Sequence, residues 1–316
     1  MTGTGLIADI GGTNARFALV APGGHDALDP QVFHCADFAC PTDAARAYLN
    51  RVAPNDPPTR GAFAVASPVL GDEVAMTNHV WRFSIDAVRD ELGLDRLDVV
   101  NDFTAVALSI PLLSRADMIS VGGGIADPTA PIAVLGPGTG LGVAALVPTP
   151  NGFLPIPTEG GHVTIAAADD HEAQVIAWLR SRFGHVSAER VLSGPGLVNL
   201  HCALRGLSGL GEEAVTPAEL SRRALSGEPL AREALDMFFA MLGTVAGNLA
   251  LSLGARGGVV IAGGIVPQLL PAFMASGFRR RFEEKGRFDG YLSAIPVQVA
   301  IHPYPAFVGL AGLIDC

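Results

Sequence analysis

The chain opens on an apolar run, Leu6-Ile7-Ala8, that meets Asp9 and then Gly11-Gly12, after which an apolar run resumes. Past the glycines, Ala15, Phe17 and Leu19 alternate with Arg16 and Ala18. That is the period of a strand, so the stretch predicts strand, glycine turn, strand. The plan recurs at residues 131–147, PIAVLGPGTGLGVAALV. Further strands are predicted at residues 61–67 and 97–100, the latter running into Asn101-Asp102. A helix is predicted from Ser84, ended by Gly93, and others around residues 170–183, 217–226 and 230–253. Residues 258–262, GVVIA, read as a buried strand leading into Gly263-Gly264. Strands followed by helices place the chain in the α/β class, and the two matching hairpins hint at duplicated lobes.

One segment has the apolarity of a membrane span, residues 237–255 with Gly243 and Gly247. Thr244, Asn248 and Ser252 recur every fourth residue in it and form a polar stripe. It barely reaches the ~20 residues a span requires. The reading is a buried core helix whose glycines admit a close neighbour.

The remaining bulk properties narrow the field. With 316 residues, 49% hydrophobic and 16% charged, the chain can bury a sizeable core. A net charge of -10 argues against nucleic acid or an anionic membrane as partner. It leaves room for a small anionic ligand held by backbone N–H groups. Cys35, Cys40, Cys202 and Cys316 lack metal-ligand spacing, and no signal peptide precedes the first strand. Free thiols in a reducing cytoplasm are expected.

The glycine turns carry the first chemistry. No Gly-x4-Gly-Lys-Ser/Thr occurs, so there is no P-loop. Both turns lead into strand rather than helix, which excludes a dinucleotide fingerprint. What remains is a pair of turns with bare backbone, able to approach a polyphosphate closely, with Thr13 and Thr139 adding hydroxyls. Asp9 is then an oxygen ligand for Mg2+, directly or through water; alternatively it caps its own turn.

These motifs resemble a known superfamily. Residues 9–14, DIGGTN, are similar to the first phosphate motif of the sugar kinase/actin/Hsp70 ATPases. Residues 135–142, LGPGTGLG, are similar to the second, and 260–265, VIAGGI, to the adenosine motif. The blocks MTNHVW (76–81), VNDFTAVA (100–107), TEGGHV (158–163) and HVSAERVLSGPGLVNL (185–200) resemble bacterial ATP-dependent glucokinases. Pro137 and Thr158 depart from that pattern, which usually has a small residue and a glycine there. The zinc motif of the separate repressor/kinase sugar family is absent.

The resemblance implies a two-lobed actin-like ATPase (ribonuclease H-like) architecture with an interlobe cleft. Residues 1–112 plus 303–316 would form the small α/β lobe and 113–302 the large one. It implies phosphorylation of glucose by ATP with Mg2+, in a cytoplasmic homodimer. Gly11, Gly12, Thr13, Asn14, Gly138, Thr139, Gly140, Gly263 and Gly264 would hold the nucleotide. Asp102, at the end of a strand where ligands of open sheets collect, is the candidate base; local sequence also allows it to cap a helix over 103–109. Asn101, Asp102, Glu159, His162 and Glu189 would bind the sugar, although Glu189, after Ser187-Ala188, also reads as a helix-start carboxylate. In the cluster Asn78, His79 and Trp81 the last two are expected to be structural, and the basic run 278–288 to be a solvated helix face. A kinase for fructose or mannose, and a non-enzymatic actin- or Hsp70-like ATP switch, are the competing readings.

Overall fold

The computed structural model describes residues 3–53, 55–77 and 79–314, so Asn78 and Cys316 lie outside the described residues. Two compact units divide the chain: Met1–Arg115 with His302–Cys316, and Ala116–Ile301.

The first unit is built on five strands. β1 (Gly5–Ile10) and β2 (Asn14–Val20) form the expected hairpin, and β3 (Leu28–His34) adds antiparallel to β2. On the other side of β1 lies β4 (Arg60–Val65), followed after a small β5–β6 hairpin (Glu73–Ala75, Arg82–Ser84) by β7 (Arg96–Asn101), both parallel. The order is β3-β2-β1-β4-β7. β1 is apolar on both faces because both are covered. Phe17, Phe33 and Phe63 gather with Tyr48 of helix α1 (Pro41–Val52) on one face. Ile7, Ala18, Ala62 and Ala64 meet the C-terminal helix Pro305–Ile314 on the other.

Local signals fix α2 (Ile85–Leu92): Ser84 Oγ accepts the Ala87 N–H at 3.0 Å, and Gly93 closes the helix in the left-handed region at φ 68°. Trp81 is buried, donating its indole N–H to Phe38 O at 3.1 Å, with the His79 ring edge-on at 4.8 Å. Both have structural roles, as expected.

The second unit repeats the hairpin plan at larger scale. β8 (Met118–Val121) comes first in sequence; β9 (Ile132–Pro137), β10 (Leu141–Thr149) and β11 (Gly152–Thr158) form an antiparallel meander. β12 (Gly258–Ile261) and β13 (Val297–Ala300) extend it in parallel, giving the order β11-β10-β9-β12-β13-β8. Helices α3 (Asp102–Ser109, in the first unit), α4 (Asp170–Phe183), α5 (Gly194–Leu207), α6 (Pro217–Leu225) and α7 (Pro229–Leu253) complete the main elements.

α7 is the long apolar segment, and it runs through the core of its unit, burying Phe238, Phe239, Met241 and Leu242. A Cβ on Gly243 would stand 2.4 Å from Phe278 O, and one on Gly247 2.6 Å from Phe282 O. The glycines thus admit the short helix Phe278–Glu283. This contact overturns the expectation that 278–288 is only a solvated face. Arg281 is buried there and donates to Glu172 of α4 at 2.6 and 2.8 Å, with Thr244 at 3.3 Å. Lys285 Nζ donates to Asn248 Oδ1 at 2.7 Å. The polar stripe of α7 pairs with this basic run; only Arg280 and Arg287 keep to the solvent side.

Candidate active site

In the first unit the carboxyl ends of β1, β4 and β7 lie side by side, since Ile10, Val65 and Asn101 are in register. The functional candidates follow immediately after these ends. Gly11 N–H donates to Asn14 O at 2.9 Å and closes the glycine turn, leaving the Thr13 side chain exposed. Cys35 fastens that turn from behind: its N–H reaches Thr13 O at 2.9 Å and its thiol Gly11 O at 3.4 Å. Burial pushes the Cys35 thiol pKa up and so keeps it a donor.

Asp9 does not cap its own turn. Its Oδ2 accepts from Arg16 at 3.1 Å, across the strand pair that makes the two residues partners. Burial raises the Asp9 pKa, while the Arg16 charge and hydrogen bond pull it back. Among the described residues no three His, Cys, Asp or Glu side chains form a metal cluster. Magnesium on a nucleotide needs only one or two carboxylates beside phosphates and waters, so a single hard oxygen donor at a bare-backbone turn fits that ion.

α3 starts one residue earlier than the cap reading of Asp102 requires. Asn101 is the N-cap, its Oδ1 accepting from Phe103 N at 2.9 Å and Thr104 N at 3.3 Å. Its Nδ2 donates to Ser67 O at 3.4 Å. Asp102 is the first helical residue, with Oδ1 accepting the Phe103 N–H at 2.8 Å. Asn101 therefore has a structural duty, which leaves Asp102 beside the dipole-positive helix start.

The second unit gathers its own set. The β9–β10 turn is closed by Gly138 N–H donating to Gly140 O at 2.8 Å, and open space lies where a Gly138 Cβ would be. Thr139 is exposed at the tip. Gly263, at φ 83°, presses on this turn's base: a Cβ there would be 2.7 Å from Pro137 O. Gly264 follows, exposed. The phosphate turn and the adenosine-type glycines are thus neighbours, and Pro137 sits at the strand end beside them.

Glu159 precedes and His162 ends a single helical turn over Gly160–His162, with carboxylate and imidazole 4.0 Å apart and both well exposed. Thr158 explains its departure from glycine: its hydroxyl donates to Val143 O at 2.8 Å and accepts the Gly160 N–H at 3.2 Å, pinning the turn to β10. Glu189 is not at a helix start. Its N–H donates to Gly161 O at 2.8 Å, and α5 begins only at Gly194, capped by Ser193. The Glu189 carboxylate accepts from Leu141 N at 2.9 Å. Glu159, His162, Glu189 and the Gly138–Gly140 turn are therefore one cluster.

Arg16, Cys35, Ser67 and Ser193 support the site and were not singled out in the sequence. Arg16 was findable, because a tight hairpin fixes the register that pairs it with Asp9. The others act through backbone contacts that carry no sequence signature.

A sequence model of glucokinases matches residues 6–315. This chain belongs to the glucokinase family. It is 57% identical over 311 residues to the glucokinase of Paramagnetospirillum magneticum, covering 98% of this chain and 97% of that one. The crystal structure of a glucokinase from an Antarctic psychrotroph is 36% identical and superimposes with a TM-score of 0.89 over 99% of both chains. The glucokinase of Balamuthia mandrillaris in complex with glucose shares the fold, at 21% identity and a TM-score of 0.81 over 99% of this chain and 94% of that one. The fold of this glucokinase-family chain is the two-lobed actin-like ATPase fold.

Proposed function

We propose that this chain transfers the terminal phosphoryl group of ATP to glucose, forming glucose 6-phosphate at the entry to glycolysis. Family membership over nearly the whole chain supports the reaction. The observation that carries the substrate reading is the cluster of Glu159, His162 and Glu189 against the Gly138–Gly140 turn. A polyol is all donors and acceptors, and two carboxylates with an imidazole suit it. A turn of bare backbone beside them suits phosphate oxygens. Gly263 and Gly264 suit the adenosine side of the nucleotide, and Gly11, Gly12, Thr13 and Asn14 offer a second bare turn for its phosphates.

Asp102 takes the proton of the attacking hydroxyl, and Asn101 orients a neighbouring one. Asp9 holds magnesium, which when bound with ATP offsets charge on the transferring group. The protein works as a homodimer in the cytoplasm.

Coupled measurement of ADP release with glucose, fructose, mannose and galactose tests this. The expected result is sugar-dependent turnover with kcat/KM for glucose at least ~10-fold above fructose and galactose, because an unmatched hydroxyl leaves a polar group of the site unpaired. Equal values for glucose and fructose would make it a general hexose kinase. Turnover indifferent to any sugar would make it an ATP-driven switch.

A further inference from the structure

The segment from Glu189 to Gly194 touches both the sugar turn and the phosphate turn of the second unit. Glu189 N–H donates to Gly161 O at 2.8 Å, between Glu159 and His162 in the sugar turn. Its side-chain Oε2 accepts the Leu141 N–H at 2.9 Å, at the exit of the phosphate turn. Gly194 N–H donates to Gly138 O at 2.8 Å, at the entrance of that turn. Ser193 braces the segment, donating to Glu189 O at 2.9 Å while capping α5 through Gly196 N at 3.0 Å. The two turns also touch directly, since a Cβ on Gly161 would stand 2.2 Å from Leu141 O.

Gly140 shows how closely the carboxylate sits. A Cβ there would lie 2.4 Å from Glu189 Oε2. The backbone at Gly140 is not in the left-handed region, so an alanine would meet no backbone strain and would displace the carboxylate instead. The Leu141 N–H bond engages Oε2, and Oε1 is the oxygen of the pair that the sugar-binding reading gives to a ligand.

We propose that Glu189 is a coupling residue: one carboxylate oxygen receives a sugar hydroxyl while the other holds the phosphate turn in shape. The inference rests on the sugar-binding reading of Glu189. A hydroxyl on Oε1 restricts the side chain, and the Leu141 N–H bond is held with it. Thr139 and Gly140 are then set before the nucleotide arrives. By linkage, sugar and nucleotide each raise the other's affinity by the same factor.

The test is calorimetry on the full chain with wild type, Glu189→Gln, Glu189→Ala and Gly140→Ala. Glucose is titrated without nucleotide, and a non-hydrolysable ATP analogue with Mg2+ is titrated with and without saturating glucose. Wild type should bind the analogue at least ~5-fold more tightly when glucose is present, the lower end of common coupling factors. Glu189→Gln keeps an oxygen for Leu141 N–H but loses the charge. It should weaken glucose while leaving the analogue, measured alone, near wild type. Glu189→Ala should weaken both and bring the coupling factor to about one.

Gly140→Ala is the sharpest arm. A methyl group in the phosphate turn should weaken glucose in the absence of any nucleotide. Thermal melts establish that each variant is folded. A folded Gly140→Ala with wild-type glucose affinity, or a Glu189→Ala that keeps wild-type coupling, overturns the inference. Glu189→Ala with unchanged glucose affinity instead overturns the sugar role beneath it.

Discussion

The guanidinium of Arg16 lies 3.1 Å from the Asp9 carboxylate, at paired positions on the two strands that flank the first glycine turn. Its reach is short because the hairpin register puts the two side chains on one face. The pair does two things for the carboxylate proposed to hold magnesium. It opposes the rise in pKa that burial causes, and it fixes which way the oxygens point.

Asp9→Ala should therefore remove binding of the magnesium-nucleotide complex while glucose affinity without nucleotide stays at the wild-type level. Arg16→Gln keeps the carboxylate but frees it, and should weaken the magnesium complex by about tenfold, the lower end for loss of an orienting partner. Calorimetry across a series of Mg2+ concentrations checks both. A wild-type Mg2+ dependence in Arg16→Gln would reduce Arg16 to a surface partner.

Both hairpins were legible because a glycine turn between two apolar runs admits few other conformations. α2 was legible from its ends, Ser84 and Gly93, and α4 from its polarity pattern. What escaped reading follows from contacts distant in sequence. β3 is an edge strand whose one buried residue is Phe33, so it shows no alternation. α1 begins at Pro41 after Cys40, which gives no side-chain cap. Ser187-Ala188-Glu189 looks like a helix start, but the Ala188 and Glu189 amides donate to Val163 O and Gly161 O instead. Adjacent Asn101 and Asp102 are equally good caps on paper, and only the structure gives the duty to Asn101. The basic run around Arg281 read as solvated because its acid, Glu172, lies on another helix.

That pair makes a stability prediction. Glu172 and Arg281 are both buried, their charges satisfying each other through two hydrogen bonds. Removing Glu172 takes away the short, buried partner of Arg281 and leaves the longer contacts to the exposed Asp169 at 3.5 Å and Glu284 at 3.7 Å. Glu172→Ala should therefore lower stability by about 3 kcal/mol, the lower end for breaking a buried pair. The double variant Glu172→Leu, Arg281→Met removes both charges and should recover a large part of the loss. Urea denaturation of the three chains decides it. Equal loss in single and double variants would mean that packing, not the orphaned charge, sets the cost.

His201 of α5 predicts an acid sensitivity. It is fully buried, and neither ring nitrogen has a partner among the described residues. Its pKa is lowered chiefly by burial, then by Arg223, with Arg205 adding to the effect and Glu213 and Glu228 opposing it. The folded-state pKa thus lies below the unfolded value of 6.5. Stability is complete above about 6.5 and falls as pH drops below it, by up to about 1.4 kcal/mol per pH unit from this group. His201→Leu should lose less stability than wild type between neutral pH and pH about 5.5. Identical losses in urea midpoints would assign the sensitivity to other groups.

The geometry around Asp102 makes its conservative substitution unusually clean. Asn101 supplies the α3 cap, accepting from both Phe103 and Thr104, so the helix start does not depend on the charge of Asp102. Asp102 accepts the neighbouring Phe103 N–H at 2.8 Å, and an asparagine oxygen can accept the same donor. Asp102→Asn should therefore fold with near wild-type thermal stability and bind glucose with little change in affinity. What it lacks is a group able to take the hydroxyl proton as the oxygen attacks phosphorus. Loss of a general base commonly costs ~10²–10⁴-fold, so kcat should fall by at least ~10²-fold. Steady-state kinetics with a melting curve on the same preparation separate chemistry from folding. A variant with near-normal kcat would remove Asp102 from the reaction. A variant with lowered kcat but a greatly raised KM for glucose would mean that Asp102 chiefly binds the sugar, and the proton would need another acceptor.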